Sequence, residues 1–164
     1  MRDSGLLSVV RQEYQKKSRD NARTPMQWDN TPHGGFTSAE VVPWMPSNPN
    51  HARLNSKAQI ADPTSAFNCW KSVLEARKKY KDIVIYGNFN LIDEEDERVF
   101  AYTRESEEGQ VMLVACNFSS ETVAWEGIKS NVQEVVLSNN GKRVEDFSGV
   151  KVSLSPYEAF AVLL

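Results

Sequence analysis

Gln110-Val-Met-Leu-Val-Ala-Cys-Asn-Phe118 is the strongest strand signal in the sequence. It stands in a series. Ile83-Val-Ile-Tyr86 precedes it and leads to Gly87-Asn88, followed by Arg98-Val-Phe-Ala-Tyr-Thr103 and a polar turn from Glu105 to Gly109. Val132 to Leu137, Val150 to Leu154 and Tyr157 to Leu164 come after it, with turns at Asn139-Asn140-Gly141 and Ser148-Gly149. A period of two residues, broken by turn residues at short intervals, marks half-buried strands. Several such strands with no helix between them predict an antiparallel sandwich or Greek-key sheet over residues 82–164. The acidic run Asp93 to Glu97 lacks the glycine and alternating ligands of a calcium loop and reads as a solvated hairpin tip.

The chain changes character ahead of Ile83. Asp62-Pro63-Thr64 is a good N-cap followed by a good first helical residue. Phe67, Trp70, Leu74 and Arg77 then recur at helical spacing, with Ala66 and Val73 beside them. This predicts a helix from about Thr64 to Lys81. Its basic end, Arg77-Lys78-Lys79-Tyr80-Lys81, suits the negative end of the helix dipole and reads as solvated charge, not as a nucleic-acid patch. Ser18 to Ala61 carries five prolines, Gly34-Gly35 and no sustained period, so about forty residues of loop with, at most, short turns are expected. Its aromatic residues Trp28, Phe36 and Trp44 imply that it packs against a surface. Leu6 to Lys17 reads as one amphipathic helix, with Leu6, Val9, Val10 and Tyr14 near one face. A lone amphipathic helix has no core of its own. The fold class expected is therefore α+β, with a division into residues 1–81 and 82–164.

Composition narrows function by exclusion. The 164 residues are 40% hydrophobic and 10% aromatic, too apolar for wholesale disorder. The longest apolar run, Ala159 to Leu164, is too short for a membrane span. With 19 basic against 22 acidic residues, no global positive field points to nucleic acid. Two cysteines, Cys69 and Cys116, are too few for a disulfide scaffold and read as buried free thiols. The start has no long apolar segment of the secretory kind, so a cytoplasmic protein is expected. Asn117-Phe118-Ser119 fits the glycosylation pattern as an accidental match. His33 and His51 lack partners at metal spacing, and no phosphate- or dinucleotide-binding fingerprint occurs, so neither a metal nor a cofactor is expected.

The densest chemistry lies in Ser18-Arg-Asp-Asn-Ala-Arg-Thr-Pro-Met-Gln-Trp-Asp29. Two guanidiniums, two carboxylates, two amides and an indole fall within a few residues. Arginine forks donate to oxygens or hold carboxylates in place, and an aromatic face can cover the apolar side of a sugar ring. On composition alone, an ion-paired, self-capping loop accounts for the same residues.

Arg19-Asp-Asn-Ala-Arg-Thr-Pro-Met-Gln-Trp28 resembles the signature of the α-glucosidase branch of the α-amylase superfamily. Gly34-Gly-Phe-Thr37, Pro43-Trp44, Asn48-Pro-Asn50, Gln59-Ile-Ala-Asp-Pro63, Phe67-Asn-Cys-Trp-Lys71, Leu74-Glu-Ala-Arg-Lys78 and Leu113-Val-Ala-Cys-Asn-Phe118 stand in that family's order. The resemblance covers nearly all of the chain from about Tyr14, and Gln12 to Arg19 is worded most like fungal intracellular maltases. It implies the last part of a (β/α)₈ barrel enzyme: the loop after barrel strand eight, the eighth helix, and the β-sandwich C domain. The nucleophile and acid/base of such enzymes stand at the ends of other barrel strands, and none of their motifs occurs here. The resemblance thus assigns no catalytic residue to this chain. It assigns substrate binding to Arg19 first and Arg23 second, with Asp20 and Trp28 as loop support. Its implied partners are α-glucoside oligosaccharides in the full-length parent and the barrel part itself. A carbohydrate-binding or structural module derived from such an enzyme is the alternative.

Overall fold

The computed structural model of the chain describes Val9, Glu13, residues 17–149 and residues 151–164. Of the helix expected over Leu6 to Lys17, Val9, Glu13 and Lys17 are helical, and Lys17 Nζ pairs with Glu13 at 2.6 Å one turn back. Leu6, Val10 and Tyr14 lie outside the described residues. The chain forms two compact units, one ending at Asn68 and one running from Cys69 to Leu164.

The first unit is built from short turns held by side chains. The expected loop with short turns contains 3₁₀ turns at Arg19–Ala22, Pro32–Gly35 and Pro49–Ala52, and beyond that expectation a helix α1 at Ser56–Ala61. Ser18 accepts the Asp20 N–H, Asn48 the Asn50 N–H and Asn55 the Ala58 N–H. Each oxygen satisfies a backbone donor that a helix start leaves without a partner. Caps of this kind, and not hydrophobic periodicity, mark three of the four starts; the turn at Pro32–Gly35 has no side-chain cap.

Helix α2 spans Ala66–Lys79 and begins later than expected. Asp62 is not its cap. The Asp62 carboxylate accepts from Thr64 N and Oγ1 at 2.9 and 2.7 Å and so closes a local turn. Ser65 takes the cap position: its Oγ accepts the Asn68 N–H at 3.2 Å and is fixed by donating to Gln59 O at 2.5 Å. A short helix α3 follows at Lys81–Val84. It replaces the strand expected at Ile83 to Tyr86. Val84, Ile85 and Gly87 donate to the carbonyls of Tyr80, Lys81 and Ile83. The turn places Ile83, 1% exposed, against Met112 and Ala161. An apolar run of four residues is too short to separate a buried helical turn from a strand.

The described residues of the second unit form seven strands: β1 Asn88–Ile92, β2 Val99–Glu105, β3 Val111–Asn117, β4 Val123–Trp125, β5 Glu134–Ser138, β6 Val152–Leu154 and β7 Ala159–Leu163. The start expected at Val150 lies outside the described residues. Five strands form an antiparallel sheet in the order β1-β2-β3-β7-β5, and β4 pairs with β6. The sequence pattern missed β1, whose apolar residues are interleaved with asparagine, and the three-residue β4. The central strand β3 is buried on the core face, and on the other face Met112 is buried while Val114 and Cys116 are half-buried. Leu113 and Ala115 join Val99, Phe160 and Val162 in the core shared with Trp125 and Leu154 of the small sheet. Met112 faces the other way, toward Ile83. Phe160 sits at the centre, 4.8 Å from the Phe147 ring and 6.4 Å from the Trp125 ring.

Polar side chains close the sandwich at its ends. Asp93 adopts φ 51° and accepts the Trp125 indole N–H at 2.8 Å. Asn117, 2% exposed, donates from its amide to the carbonyls of Glu121, Leu154 and Ser155. Glu158, with a fully buried side chain, accepts from Ser155 N at 2.7 Å and Asn140 Nδ2 at 3.1 Å through one oxygen. Its other oxygen lies 3.1 Å from Lys142 Nζ, an ion pair outside hydrogen-bond geometry. Cys116 is half-buried and burial pushes its thiol pKa up, whereas Cys69 is exposed on α2, contrary to the buried thiol expected.

Candidate functional site

The residues singled out by the sequence lie together in the first unit. Arg19 and Asp20 form the first 3₁₀ turn, and Arg23 follows it, its N–H donating to Asp20 O at 3.0 Å. All three side chains are exposed. Neither guanidinium forms a salt bridge with a described residue, while Ser18 Oγ caps the turn by accepting the Asp20 N–H at 3.3 Å. Trp28 is 52% exposed and belongs to no core among the described residues.

What holds the segment is Gln27, which sequence reasoning passed over. Its Nε2 donates to Asn50 Oδ1 at 2.9 Å and Leu54 O at 2.5 Å. Its carbonyl accepts from Ser56 N, and the Trp28 carbonyl accepts from Lys57 N. Asn55, 6% exposed, adds a bond from Nδ2 to His51 O at 2.8 Å. The start of α1 is thereby tied to residues 27–28. The signal for it was an Asn placed three residues ahead of Ala58.

A second closure lies just beyond. Trp28 N and Asp29 N both donate to Gly34 O, at 2.7 and 3.2 Å. Asp29 Oδ1 accepts from Thr31 Oγ1 and N at 2.5 and 2.8 Å. The Thr31 hydroxyl and then its N–H hold the Asp29 carboxyl below the usual range, with Lys57 and His51 adding to the effect. Gly35 has φ +68°, and a Cβ there would sit 2.6 Å from Asp29 Oδ1, so this turn requires glycine.

Beside Gln27 lies an open depression of ≈ 340 Å³, lined among others by Thr24, Met26, Gln27, Leu54, Gln59 and Phe67. Its lining contains no carboxylate. It offers apolar contact, amides and two hydroxyls, and so can bind but cannot supply the paired acids that cleave a glycosidic bond.

Comparison with known proteins agrees with this geometry. Residues 5–87 match the family described as "Alpha amylase, catalytic domain". Residues 89–160 match "Maltogenic Amylase, C-terminal domain". The chain belongs to the α-amylase family. The two matched regions of this α-amylase-family chain meet at the start of β1. An alpha-glucosidase of Schizosaccharomyces pombe is 39% identical over 91% of this chain and 25% of its own length. An oligo-1,6-glucosidase of Halalkalibacterium halodurans is 41% identical over 87% and 25%. Among solved structures, a trehalose-6-phosphate hydrolase of Bacillus licheniformis matches with a TM-score of 0.74 at 27% identity, over 99% of this chain and 32% of its own. An isomaltulose synthase of Erwinia rhapontici, solved with D-glucose, matches with a TM-score of 0.74 at 30% identity, over 90% and 26%. The chain thus spans about a quarter of the length of the curated relatives it matches. The expected barrel remnant followed by an all-β domain is the architecture observed.

Proposed function

We propose that this chain serves as the part of an α-glucosidase that follows its catalytic carboxylates. That enzyme releases terminal α-linked glucose from maltose- or isomaltose-type oligosaccharides with retention. In that mechanism one carboxylate attacks and a second carboxylic acid about 5 Å away protonates the leaving oxygen. Both groups come from polypeptide outside this chain, which by itself is inactive. Residues 1–81 complete the barrel, and residues 82–164 are the C-terminal sandwich. Arg19, and failing it Arg23, donates to the sugar or holds a carboxylate beside it, while Asp20 and Trp28 support the loop. The protein is cytoplasmic and needs no cofactor.

The observation that carries this reading is helix α2. None of its 14 residues is buried, and Phe67, Trp70 and Leu74 are 45%, 67% and 51% exposed. Trp44 of the preceding loop is 86% exposed. An apolar helix stripe left in water calls for a covering layer, and a barrel supplies one. A self-contained binding module would turn that stripe inward.

Two measurements test the reading. The purified chain releases no nitrophenol from p-nitrophenyl α-glucoside. A fusion in which this chain replaces the matched quarter of the S. pombe α-glucosidase does. Turnover by the isolated chain that a point substitution within it abolishes overturns the proposal.

A further inference from the structure

The turn after β5 holds the chain's one Asn-Gly pair, Asn140-Gly141. Both residues are exposed. Gly141 has φ +69°, and a Cβ added there would meet nothing within 4 Å. No side chain of its own screens its backbone nitrogen, and its dihedrals can follow a change of geometry at Asn140. Ser138 Oγ accepts the N–H groups of Asn140 and Lys142, at 3.3 and 3.0 Å, and so pins the backbone on both sides of Gly141.

The two asparagines of this turn are held differently. Asn139 is bonded at both ends of its amide: Nδ2 donates to Tyr157 O and Oδ1 accepts from Ala159 N, each at 2.9 Å. Asn140 is held through its nitrogen. Nδ2 donates to Glu158 Oε2 at 3.1 Å and to Ser155 Oγ at 3.3 Å. These bonds lie on the atom that departs when the side-chain carbonyl is attacked. Glu158 depends on that atom, because its side chain is fully buried and its counter-charge, Lys142 Nζ, lies 3.1 Å from the other oxygen.

We propose that Asn140 is a self-modification site, which loses ammonia to become aspartate or isoaspartate and so sets a second carboxylate beside the buried Glu158. The Gly141 nitrogen gives its proton to solvent, and its electron pair attacks Asn140 Cγ. The N–Cγ bond forms, the Cγ–Nδ2 bond breaks, and ammonia leaves with a proton taken from water. One water then opens the cyclic imide. Opening at Cγ yields aspartate. Opening at the Asn140 backbone carbonyl yields isoaspartate, with the main chain rerouted through Cγ. In sum, one water is consumed and one ammonia released, and no oxidant or reductant takes part. Either product replaces a hydrogen-bond donor to Glu158 with a negative charge. Two carboxylates that close disfavour each other's ionised form, and the end of the sandwich between Ser138 and Glu158 loosens.

The test ages the full chain in warm, mildly alkaline buffer made with oxygen-18 water and maps the product by peptide mass spectrometry. Opening of the imide leaves one labelled oxygen at residue 140. Conversion there is expected to outrun conversion at Asn139 at least about tenfold, since Asn139 must first break bonds at both ends of its amide. The labelled fraction, separated by its extra charge, is expected to melt at least about 4 °C below the unmodified chain, and Asn140→Asp to do the same. Asn140→Ala removes the donor without adding a charge and falls by less. Conversion at Asn140 no faster than at Asn139, or conversion without label, overturns the proposal. So does an Asn140→Asp chain that melts with the unsubstituted one, or an equal loss in Asn140→Ala, since charge beside Glu158 then plays no part. An Asn140→Asp chain that fails to fold where Asn140→Ala folds supports it. Should the chain alone precipitate on ageing, the S. pombe fusion is aged and read in the same way.

Discussion

Two residues carry the binding hypothesis and one pair carries a stability claim. Truncating one partner of a buried, hydrogen-bonded charge pair costs about 2–5 kcal/mol. Arg19→Ala in the fusion is therefore expected to lower kcat/KM at least about tenfold, with Arg23→Ala as the comparison. If Arg23→Ala alone loses activity, the role belongs to Arg23; if neither does, both are structural. Glu158 supplies a different experiment. Burial by itself would raise its pKa, but the Ser155 N–H, Lys142 and Asn140 outweigh burial and hold the carboxyl below the usual range. A carboxyl depressed in the folded state adds stability that is present above its unfolded pKa and lost as pH falls through the folded one. The melting temperature should therefore fall on acidification below the ordinary carboxylate range, and Glu158→Gln should flatten that fall. Lys142→Ala leaves the buried carboxylate without its counter-charge and is expected to cost ~3–5 kcal/mol by denaturant titration. A loss below about 1 kcal/mol would show that Ser155 and Asn140 suffice.

Between elements, the joint of α3 and β1 brings two backbone segments close together. A Cβ on Gly87 would approach Ile83 O at 2.5 Å and Glu105 O at 2.8 Å, both backbone atoms that cannot swing aside. Gly87→Ala is expected to destabilise by about 1–3 kcal/mol. Gly149→Ala, whose nearest contact is at 3.7 Å, should be close to neutral. Elements set by period were legible in the sequence: β2, β3, β5 and β7 fall within a residue or two of where alternation put them. Elements set by tertiary contact were not. Ile83 to Tyr86 has the composition of a strand, but Ile83 is needed as a plug against Met112, and a helical turn delivers it. The site shows the same division. The Arg19–Trp28 segment was visible as chemistry, yet the bonds from Gln27 to Asn50 and Leu54 join residues 23 and 27 apart and leave no local trace.

At the level of the whole chain, the distribution of buried side chains is uneven. Every residue of the main core lies at or beyond Val99, while the unit ending at Asn68 buries polar Asn55 and Ser65. Backbone amides open locally where few apolar contacts hold them. Hydrogen exchange should therefore show strong protection in β2, β3 and β7 and weak protection before residue 82. Uniformly strong protection would mean that the first unit is independently stable, and would count against a missing covering layer.

The closed end of β3 bears on how the protein can be made. Asn117 opens an Asn-Phe-Ser tripeptide, the acceptor pattern for an N-linked sugar, but its amide nitrogen already serves three carbonyls inside the sandwich. Oligosaccharyl transfer acts on that nitrogen in an extended chain. A glycan added there during export would have to occupy the space between β3 and the turn at Ser155, and the two sheets could not close over it. Material routed through a eukaryotic secretory pathway should thus separate into a folded, sugar-free fraction and a glycosylated one retained by quality control. Asn117→Gln would not rescue it, because the same three bonds would be misplaced.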